Sequence, residues 1–169
     1  MNRNEIGSPS WKSVMVTRHL PEKMSGLETL CKNLWWCWND NAKDLFKSID
    51  YNLWHKSGHN PMVILDRVSY KRYLALSQDE EFVARLDAVM QEFNSYMSKK
   101  SERTEPSVGY FCMEYGLDTS LKIYSGGLGI LAGDYLKESS DMNVNLVAVG
   151  LLYRYGYFTQ RLNPHGNTG

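Results

Sequence analysis

Apolar residues in the first hundred positions recur at steps of three and four, the spacing that one face of an α-helix produces. From Pro21 onward this spacing predicts one helix, whose apolar face contains Leu27, Leu30, Cys31, Leu34, Trp35 and Trp38. Before that helix, Val14 and Val16 alternate with polar residues, which predicts a short extended segment. Asp40 is placed to cap a second, shorter helix.

A turn signal separates these helices from two more. The stretch HKSGHNP (residues 55–61) contains a glycine and an Asn-Pro pair, which predict a turn. Apolar positions within residues 70–76 predict the next helix. Ser77 and Glu80 then form an S-x-x-E pattern, which predicts a capping box at the start of a long helix that extends to Met97.

The period changes in the last third of the chain, where short apolar runs replace the helical spacing. Residues 108–113 and 145–152 each form an apolar run of the kind that a buried parallel strand shows. Between them, apolar positions from Leu128 to Ser139 recur at helical spacing, and Asn143 is suited to end that helix. Strand, helix and strand in this order form a βαβ unit, so the predicted fold class is α/β with parallel strands.

A polar stretch, SKKSERTEPS (residues 98–107), lies between the helical and the βαβ patterns and marks a domain boundary. The predicted organisation is a helical region at residues 1–100, a linker at residues 101–107 and an α/β region at residues 108–169. Two parallel strands cannot cover both faces of a sheet. We therefore expect the α/β region to be the incomplete, truncated start of a larger domain.

Composition and charge exclude several classes of protein. Lys and Arg total 19 and Asp and Glu total 19, so no basic excess exists for binding nucleic acid or a membrane surface. The sequence contains no run of about 18 apolar residues, the length that a membrane-spanning helix needs. Cys31, Cys37 and Cys112 form neither a disulfide framework nor a C-x-x-C pair, which predicts reduced thiols in a cytoplasmic protein. Nothing in these patterns predicts an oligomeric state.

The best local signal for chemistry is the sequence Ser-Gly-Gly-Leu-Gly at the start of the last predicted helix. Gly126, Gly127, Leu128 and Gly129, here called the glycine turn, would present N–H groups that have no intrahelical partner. The helix dipole adds positive charge there, and glycine lets an anion approach without a Cβ in the way. The pattern predicts a phosphate-binding turn or, alternatively, a tight turn in which glycine only solves a steric problem.

Other polar residues near these elements have weaker signals. Glu114 follows the first predicted strand, where ligands of open α/β sheets gather; it could bind sugar hydroxyls or simply cap the strand end. Asp134 is interpreted as a charge that favours the helix start rather than as a ligand. His55 and His59 lie four residues apart, but the intervening glycine argues against a zinc site, and no metal is predicted.

Three linked blocks in the α/β region point to one family. YFCMEYG (residues 110–116) is followed by IYSGGLG (residues 123–129) and by VGLLYRYGYF (residues 149–158). In this order and spacing they resemble the start of the catalytic region of α-glucan phosphorylases. Residues 22–97 are similar to the helical N-terminal region of the short bacterial and archaeal members of that family.

The resemblance implies a Rossmann-like glycosyltransferase fold and the transfer of a glucosyl unit from an α-1,4-glucan to inorganic phosphate, which gives glucose 1-phosphate. It implies pyridoxal phosphate as cofactor, whose phosphate group acts in proton transfer. It also implies that the glycine turn meets the cofactor or substrate phosphate and the glucosyl unit, with Glu114 near the sugar. The cofactor-binding lysine belongs to the family's C-terminal domain, so we expect no catalytic residue within residues 1–169 and no activity from this chain alone.

Two alternatives remain open from the sequence. Glucan synthases of the same two-domain type also carry a GGLG turn and use a nucleotide sugar, but they usually have lysine where this chain has Ser125. The other alternative is a non-catalytic, glucan-binding module that uses the tryptophans of the helical region. The helical spacing of Trp35 and Trp38 favours core packing over a sugar platform.

Overall fold

The computed structural model describes residues 20–99, 107–158 and 161–166. The first part contains α1 (Gly26–Cys31), α2 (Asp40–Ile49), α3 (Tyr51–Lys56), α4 (Pro61–Arg67), α5 (Tyr70–Ser77) and α6 (Glu80–Ser98). The 3₁₀ helices Glu22–Met24 and Leu34–Trp38 flank α1. The second part contains β1 (Val108–Phe111), α7 (Gly127–Asp141) and β2 (Leu146–Val149). A helical part followed by a βαβ unit confirms the predicted fold class.

The helical part has a continuous core, to which each helix contributes its apolar face. Phe46 is fully buried, and its ring stacks on that of Trp54 at a centroid distance of 6.4 Å. The ring of Trp36 meets both rings edge-on, with its centroid 6.3 Å from each. The long helix α6 completes the core with Phe82, Leu86, Val89 and Phe93. Burial of this apolar surface is the main force that holds the helices together.

The single helix predicted from Pro21 is wrong, because the chain interrupts it at Asn33. The backbone of Asn33 is extended, and its side-chain oxygen accepts the N–H of Trp35 at 3.0 Å. Asparagine side chains compete with helix hydrogen bonds in this way, so the chain continues as a 3₁₀ helix. Asn39 then caps α2 by accepting a backbone N–H at 2.8 Å, and Asp40 is the first residue of that helix rather than its cap.

The predicted turn within residues 55–61 and the long helix after it are confirmed, but the cap of that helix differs. Asp79 accepts two backbone N–H groups at the start of α6, each at 3.1 Å. Ser77 is instead the last residue of α5. The capping box of Ser77 and Glu80 is therefore wrong, because an aspartate closer to the helix satisfies the N–H groups first.

The two strands pair in parallel, with Val108 opposite Leu146 and Phe111 opposite Val149. Since α7 lies between them in the chain, the predicted βαβ unit is confirmed. The prediction that both strands are buried is wrong for the described residues, because Phe111 is 76% exposed and Val149 is 46% exposed. The described elements supply too little cover for the two faces of this sheet.

The helix α7 ends at Asp141, and Asn143, the residue that the sequence predicted to terminate it, follows two positions later. This residue has a left-handed backbone, with φ of 55°. Its N–H donates to the carbonyl of Ser140 at 3.1 Å, and the N–H of Val144 donates to the carbonyl of Ser139 at 2.8 Å. These two bonds satisfy the last carbonyls of the helix before the chain enters β2.

Two expectations from the sequence lie outside the described residues. They are the extended segment at Val14 and Val16 and, apart from Ser107, the linker at residues 101–107. Among the residues that the structure describes, no helix combines the length and the apolar character needed to cross a membrane.

Candidate functional site

The helix α7 opens within the glycine turn. Gly126 precedes the helix with an extended backbone and no side-chain cap, and Gly127 is the first helical residue. The first hydrogen bond of the helix joins the N–H of Ile130 to the carbonyl of Gly126 at 3.2 Å. Within the described residues, the N–H groups of Gly127, Leu128 and Gly129 donate to no protein acceptor. Gly127 and Leu128 are exposed, so their orphan donors are available to a ligand, whereas Gly129 is buried.

The protein itself does not require glycine at the first two positions of the turn. A Cβ at Gly126 or at Gly127 would meet nothing within 4 Å, and neither residue has a left-handed backbone. At Gly129, by contrast, a Cβ would lie 2.5 Å from the Cβ of Tyr124 and 2.8 Å from Oε2 of Glu114. The steric alternative therefore accounts for Gly129 alone. At Gly126 and Gly127 there is open space through which a ligand could reach the main chain.

Glu114 lies beside the glycine turn, as its place after β1 predicted. Its Oε2 accepts the N–H of Ser125, the residue directly before the turn, at 3.1 Å. The other carboxylate oxygen, Oε1, accepts no hydrogen bond from the part of the chain that is described. Local capping, the alternative considered for Glu114, thus accounts for one of the two oxygens. Oε1 remains available to a hydroxyl donor.

A cavity of about 310 Å³ opens at the carboxyl ends of the two strands. It is lined by Phe111, Cys112, Met113, Val149, Gly150 and Leu151. The chain passes from this lining directly into Glu114, while the glycine turn lies outside it with Gly126 and Gly127 exposed. Ligands of open α/β sheets bind at this end of the strands.

Two glycines that the sequence pattern did not single out, Gly116 and Gly133, hold the glycine turn in place. The N–H of Gly116 donates to the carbonyl of Gly129 at 2.7 Å, and a Cβ at Gly133 would collide with the carbonyl oxygen of Gly116. The helix α7 therefore rests directly on the backbone of the loop that carries Glu114. The available signal was the four-residue spacing of Gly129 and Gly133, which places both on one helix face.

Gly133→Ala is expected to lower the free energy of unfolding of the α/β part by about 1–3 kcal/mol, because the added methyl group overpacks against the backbone. This loss opposes helix propensity, which favours alanine over glycine. Urea unfolding followed by circular dichroism measures it. Gly127→Ala is the matched control, since its methyl group meets open space and stability should not fall. Equal stability of the two variants would contradict the close approach of α7 to Gly116.

The tryptophans of the helical part belong mainly to its core. Trp35 is 4% exposed and Trp36 is 3% exposed, which confirms core packing for this segment. Trp38 is half-buried, and its Nε1–H donates to Oδ1 of Asp141 at 3.2 Å. A sugar platform needs an open aromatic face, so the burial of Trp35 and Trp36 argues against their use by a glucan-binding module.

Other reactive side chains offer little chemistry. Burial raises the pKa of the Cys31 and Cys37 thiols to about 11, which keeps both protonated and unreactive near neutral pH. Asp134 is exposed on α7. Nε2 of His59 lies 3.2 Å from Nδ1 of His55, but the described residues contain no group of three or more side chains that could hold a metal ion.

Comparisons with known proteins identify the family of this chain and its named relatives. A family model described as "Protein of unknown function (DUF3417)" matches residues 20–121. The chain is 41% identical over 163 residues to a glycogen phosphorylase of Mycobacterium tuberculosis, and the matched region is 89% of this chain and 19% of that protein. It is 42% identical over 154 residues to a maltodextrin phosphorylase of Thermococcus litoralis, which covers 87% of this chain and 18% of that protein.

A glycogen phosphorylase of Aquifex aeolicus is 42% identical over 144 residues, which is 83% of this chain and 20% of that protein. No solved structure matches the chain. The chain spans about a fifth of the length of the curated relatives that it matches, and the match lies in their N-terminal part. These findings confirm the resemblance to α-glucan phosphorylases that the three sequence blocks indicated. The chain belongs to the DUF3417 family, and it is homologous to the N-terminal part of glycogen and maltodextrin phosphorylases.

Proposed function

We propose that this chain is the N-terminal part of an α-1,4-glucan phosphorylase, which moves a glucosyl unit from the non-reducing end of a glucan to inorganic phosphate. One observation carries the proposal: the first main-chain N–H groups of α7 have no protein acceptor, and they lie beside Glu114. Similarity to glycogen and maltodextrin phosphorylases supports the substrate class. A cytoplasmic location forms part of the proposal and is supported by three free thiols.

The glycine turn suits a phosphate group for electrostatic reasons. Unpaired N–H groups act there together with the aligned peptide dipoles, which place roughly half a positive charge at a helix start. Since Gly126 and Gly127 have no side chain and open space around them, a phosphate oxygen can reach hydrogen-bond distance of the main chain. The same donors would stabilise negative charge as the glycosidic bond breaks.

The same donors also fit the phosphate group of pyridoxal phosphate, the cofactor that the resemblance implies. When bound, this cofactor supplies a phosphate group that takes part in proton transfer. Residues 126–129 would hold one phosphate group, of the cofactor or of the substrate, through main-chain N–H groups. None of these four residues has an ionisable side chain. Their contribution is therefore to bind and orient an anion, while proton exchange falls to other groups.

The exposed apolar surface of the α/β part supports its assignment to a larger catalytic domain. Phe111, Leu152 and Phe158 are 76%, 84% and 80% exposed. Apolar exposure on this scale around a two-stranded parallel sheet calls for further cover, which strands and helices supply in doubly wound folds. The carboxyl ends of β1 and β2 would then line a cleft that contains Glu114 and the glycine turn.

A glucan synthase that uses a nucleotide sugar is the alternative enzyme. The relatives at 41–42% identity carry phosphorylase names, and Ser125 occupies the position where synthases usually have lysine. Both observations favour phosphorolysis.

Phosphorolysis by the full-length protein that contains this chain tests the proposal. With maltodextrin, inorganic phosphate and pyridoxal phosphate present, we expect glucose 1-phosphate to form and the protein to absorb light as a Schiff base. A colourless protein that consumes a nucleotide-activated glucose would replace the proposal by the synthase alternative. A protein that does neither would contradict both enzyme assignments.

Glu114→Gln is expected to lower kcat/KM for maltodextrin by about 10- to 100-fold, the value of a hydrogen bond to a charged group. Glutamine keeps an oxygen that can accept the N–H of Ser125, so the loop should keep its shape, but the charged acceptor for a sugar hydroxyl is lost. Initial rates of glucose 1-phosphate release measure the change. An unchanged rate would remove Glu114 from the sugar site, and a rate restored by Glu114→Asp would support a role for its charge.

A further inference from the structure

The helical part holds the far end of α7 through one carboxylate oxygen. Oδ1 of Asp141, the last residue of α7, accepts hydrogen bonds from Nε1–H of Trp38 at 3.2 Å and from the phenol of Tyr96 at 2.8 Å. Oγ of Ser140 lies 2.7 Å from the same phenol oxygen. Trp38 belongs to a 3₁₀ helix and Tyr96 to α6, so three elements meet at Asp141. We call Trp38, Tyr96 and Asp141 the clamp.

The two donors of the clamp are themselves fixed by the core. The ring of Trp35, which is buried, packs against Phe93 at 5.4 Å and against Tyr96 at 5.9 Å between centroids. Burial also raises the pKa of Tyr96 to about 12, with a further contribution from Asp141, so the phenol remains a hydrogen-bond donor at all ordinary pH values. Trp38 and Tyr96 both pack against this core, so the helical part holds the two donors that contact α7.

A carboxylate is an unusual choice for this end of a helix. The C-terminal end of α7 carries the negative end of the helix dipole, which favours cations and disfavours Asp141. Hydrogen bonds from Trp38 and Tyr96 offset that cost. The position of the carboxylate is thus explained by the clamp and not by the helix itself.

A second contact, between α7 and Gly116, allows a shift at the clamp to move the glycine turn. The helix rests on Gly116 at two points, Gly133 and Gly129, and the carbonyl of Gly129 accepts the N–H of Gly116 at 2.7 Å. The middle of these contacts lies four residues after Gly127 and ten residues before Asp141, which is about 6 Å and about 15 Å at a rise of 1.5 Å per residue. If α7 tilts as a rigid rod about this middle, a displacement of about 2 Å at Asp141 moves Gly127 by roughly 0.8 Å.

We propose that Trp38 and Tyr96 are positioning residues for the glycine turn: by fixing Asp141 they set the tilt of α7, and hence the place of the N–H groups relative to Glu114. This inference rests on the proposed function, since it gives the helical part a role in placing the bound phosphate. Misplacement of a binding or catalytic group by about 1 Å can cost roughly 100-fold in rate, so a tilt of this size matters.

Two substitutions at Asp141 separate positioning from charge. In the full-length protein, Asp141→Ala removes the shared acceptor and is expected to raise the KM for phosphate by roughly 10- to 100-fold, with a smaller change in the KM for maltodextrin. Asp141→Asn keeps a carbonyl oxygen for both donors and should restore the KM for phosphate to within about twofold of the wild type. Equal impairment of both variants would assign the effect to charge and overturn the inference. An unimpaired Asp141→Ala protein would overturn it as well.

A second measurement does not depend on activity. Nδ2–H of Asn143 donates to the carbonyl of Lys99 at 2.8 Å. The end of α7 therefore keeps one hydrogen bond to the helical part when Asp141 is replaced by alanine. In proton–nitrogen correlation spectra of the 169-residue chain, Asp141→Ala should shift the glycine-turn cross-peaks, and Asp141→Asn should leave them near their wild-type positions. Fixed cross-peaks in Asp141→Ala would overturn the inference. Shifted cross-peaks together with an inactive wild-type protein would contradict the proposed function and leave the positioning role standing.

Discussion

Gly127→Val is expected to lower kcat of the full-length protein by about 10²–10³-fold, the usual cost of losing a main-chain donor to a developing anion. The position has room for the new side chain, because a Cβ at Gly127 meets nothing within 4 Å in the protein. The same side chain would occupy the approach to the turn and keep a phosphate oxygen from the N–H groups. Glucose 1-phosphate release measures the loss, and thermal unfolding tests whether the fold is unchanged.

Glu138→Val is the matched control for this substitution. Glu138 is exposed on α7, so the variant introduces the same β-branched side chain in the same helix but away from the turn. Its kcat should stay within about twofold of the wild type, as for ordinary surface changes. A fully active Gly127→Val protein would show that no ligand approaches the main chain at this position.

Phe46→Ala is expected to lower the free energy of unfolding of the helical part by about 3–5 kcal/mol, the cost of removing a buried aromatic side chain and leaving a cavity. The ring of Phe46 is fully buried and contacts the rings of Trp36 and Trp54. Its loss therefore removes contacts from two other large side chains as well. Urea unfolding followed by tryptophan fluorescence measures the change, because both tryptophans report on this part of the core.

Leu74→Ala serves as the control for that measurement. Leu74 is 43% exposed on α5, so truncation there removes less buried surface and should cost about 1 kcal/mol or less. Equal losses for Leu74→Ala and Phe46→Ala would mean that the ring of Phe46 is not part of a packed core.

Helical spacing predicted α5 and α6 well, because a long run of apolar positions such as Phe82, Leu86 and Val89 leaves few alternatives. It failed where a short polar side chain captured a backbone N–H, as Asn33 does. Such caps are worth only about 1 kcal/mol each, and they leave the apolar period of the sequence unchanged. Asp79 displaced the expected cap at Ser77 for the same reason.

The burial of the strands could not be predicted from the strands themselves. An apolar run indicates that a strand is suited to a covered sheet, but the cover comes from other elements. Phe111 is apolar and nevertheless 76% exposed, since the described residues supply no layer over it. Sequence pattern therefore predicts what a face requires more reliably than what it contacts.

The position of one part of the site could be predicted from topology, whereas another part depends on tertiary contacts. A residue after a strand and a turn before the next helix meet at one sheet edge, so Glu114 and the glycine turn could be placed together from sequence. The contact of Gly116 with Gly133 and the clamp at Asp141 join segments that are distant in the chain. The spacing of Gly129 and Gly133 indicates a helix face lined with glycine, but no local pattern identifies the segment that packs against it.

Anion binding at the glycine turn is tested most directly by titrating inorganic phosphate into the 169-residue chain and recording proton–nitrogen correlation spectra. We predict saturable shifts of the cross-peaks of Gly127, Leu128 and Gly129, which chloride at equal ionic strength does not reproduce and which Gly127→Val abolishes. Cross-peaks of these three residues that stay fixed at saturating phosphate, or that move equally with chloride, would contradict a phosphate site at the start of α7.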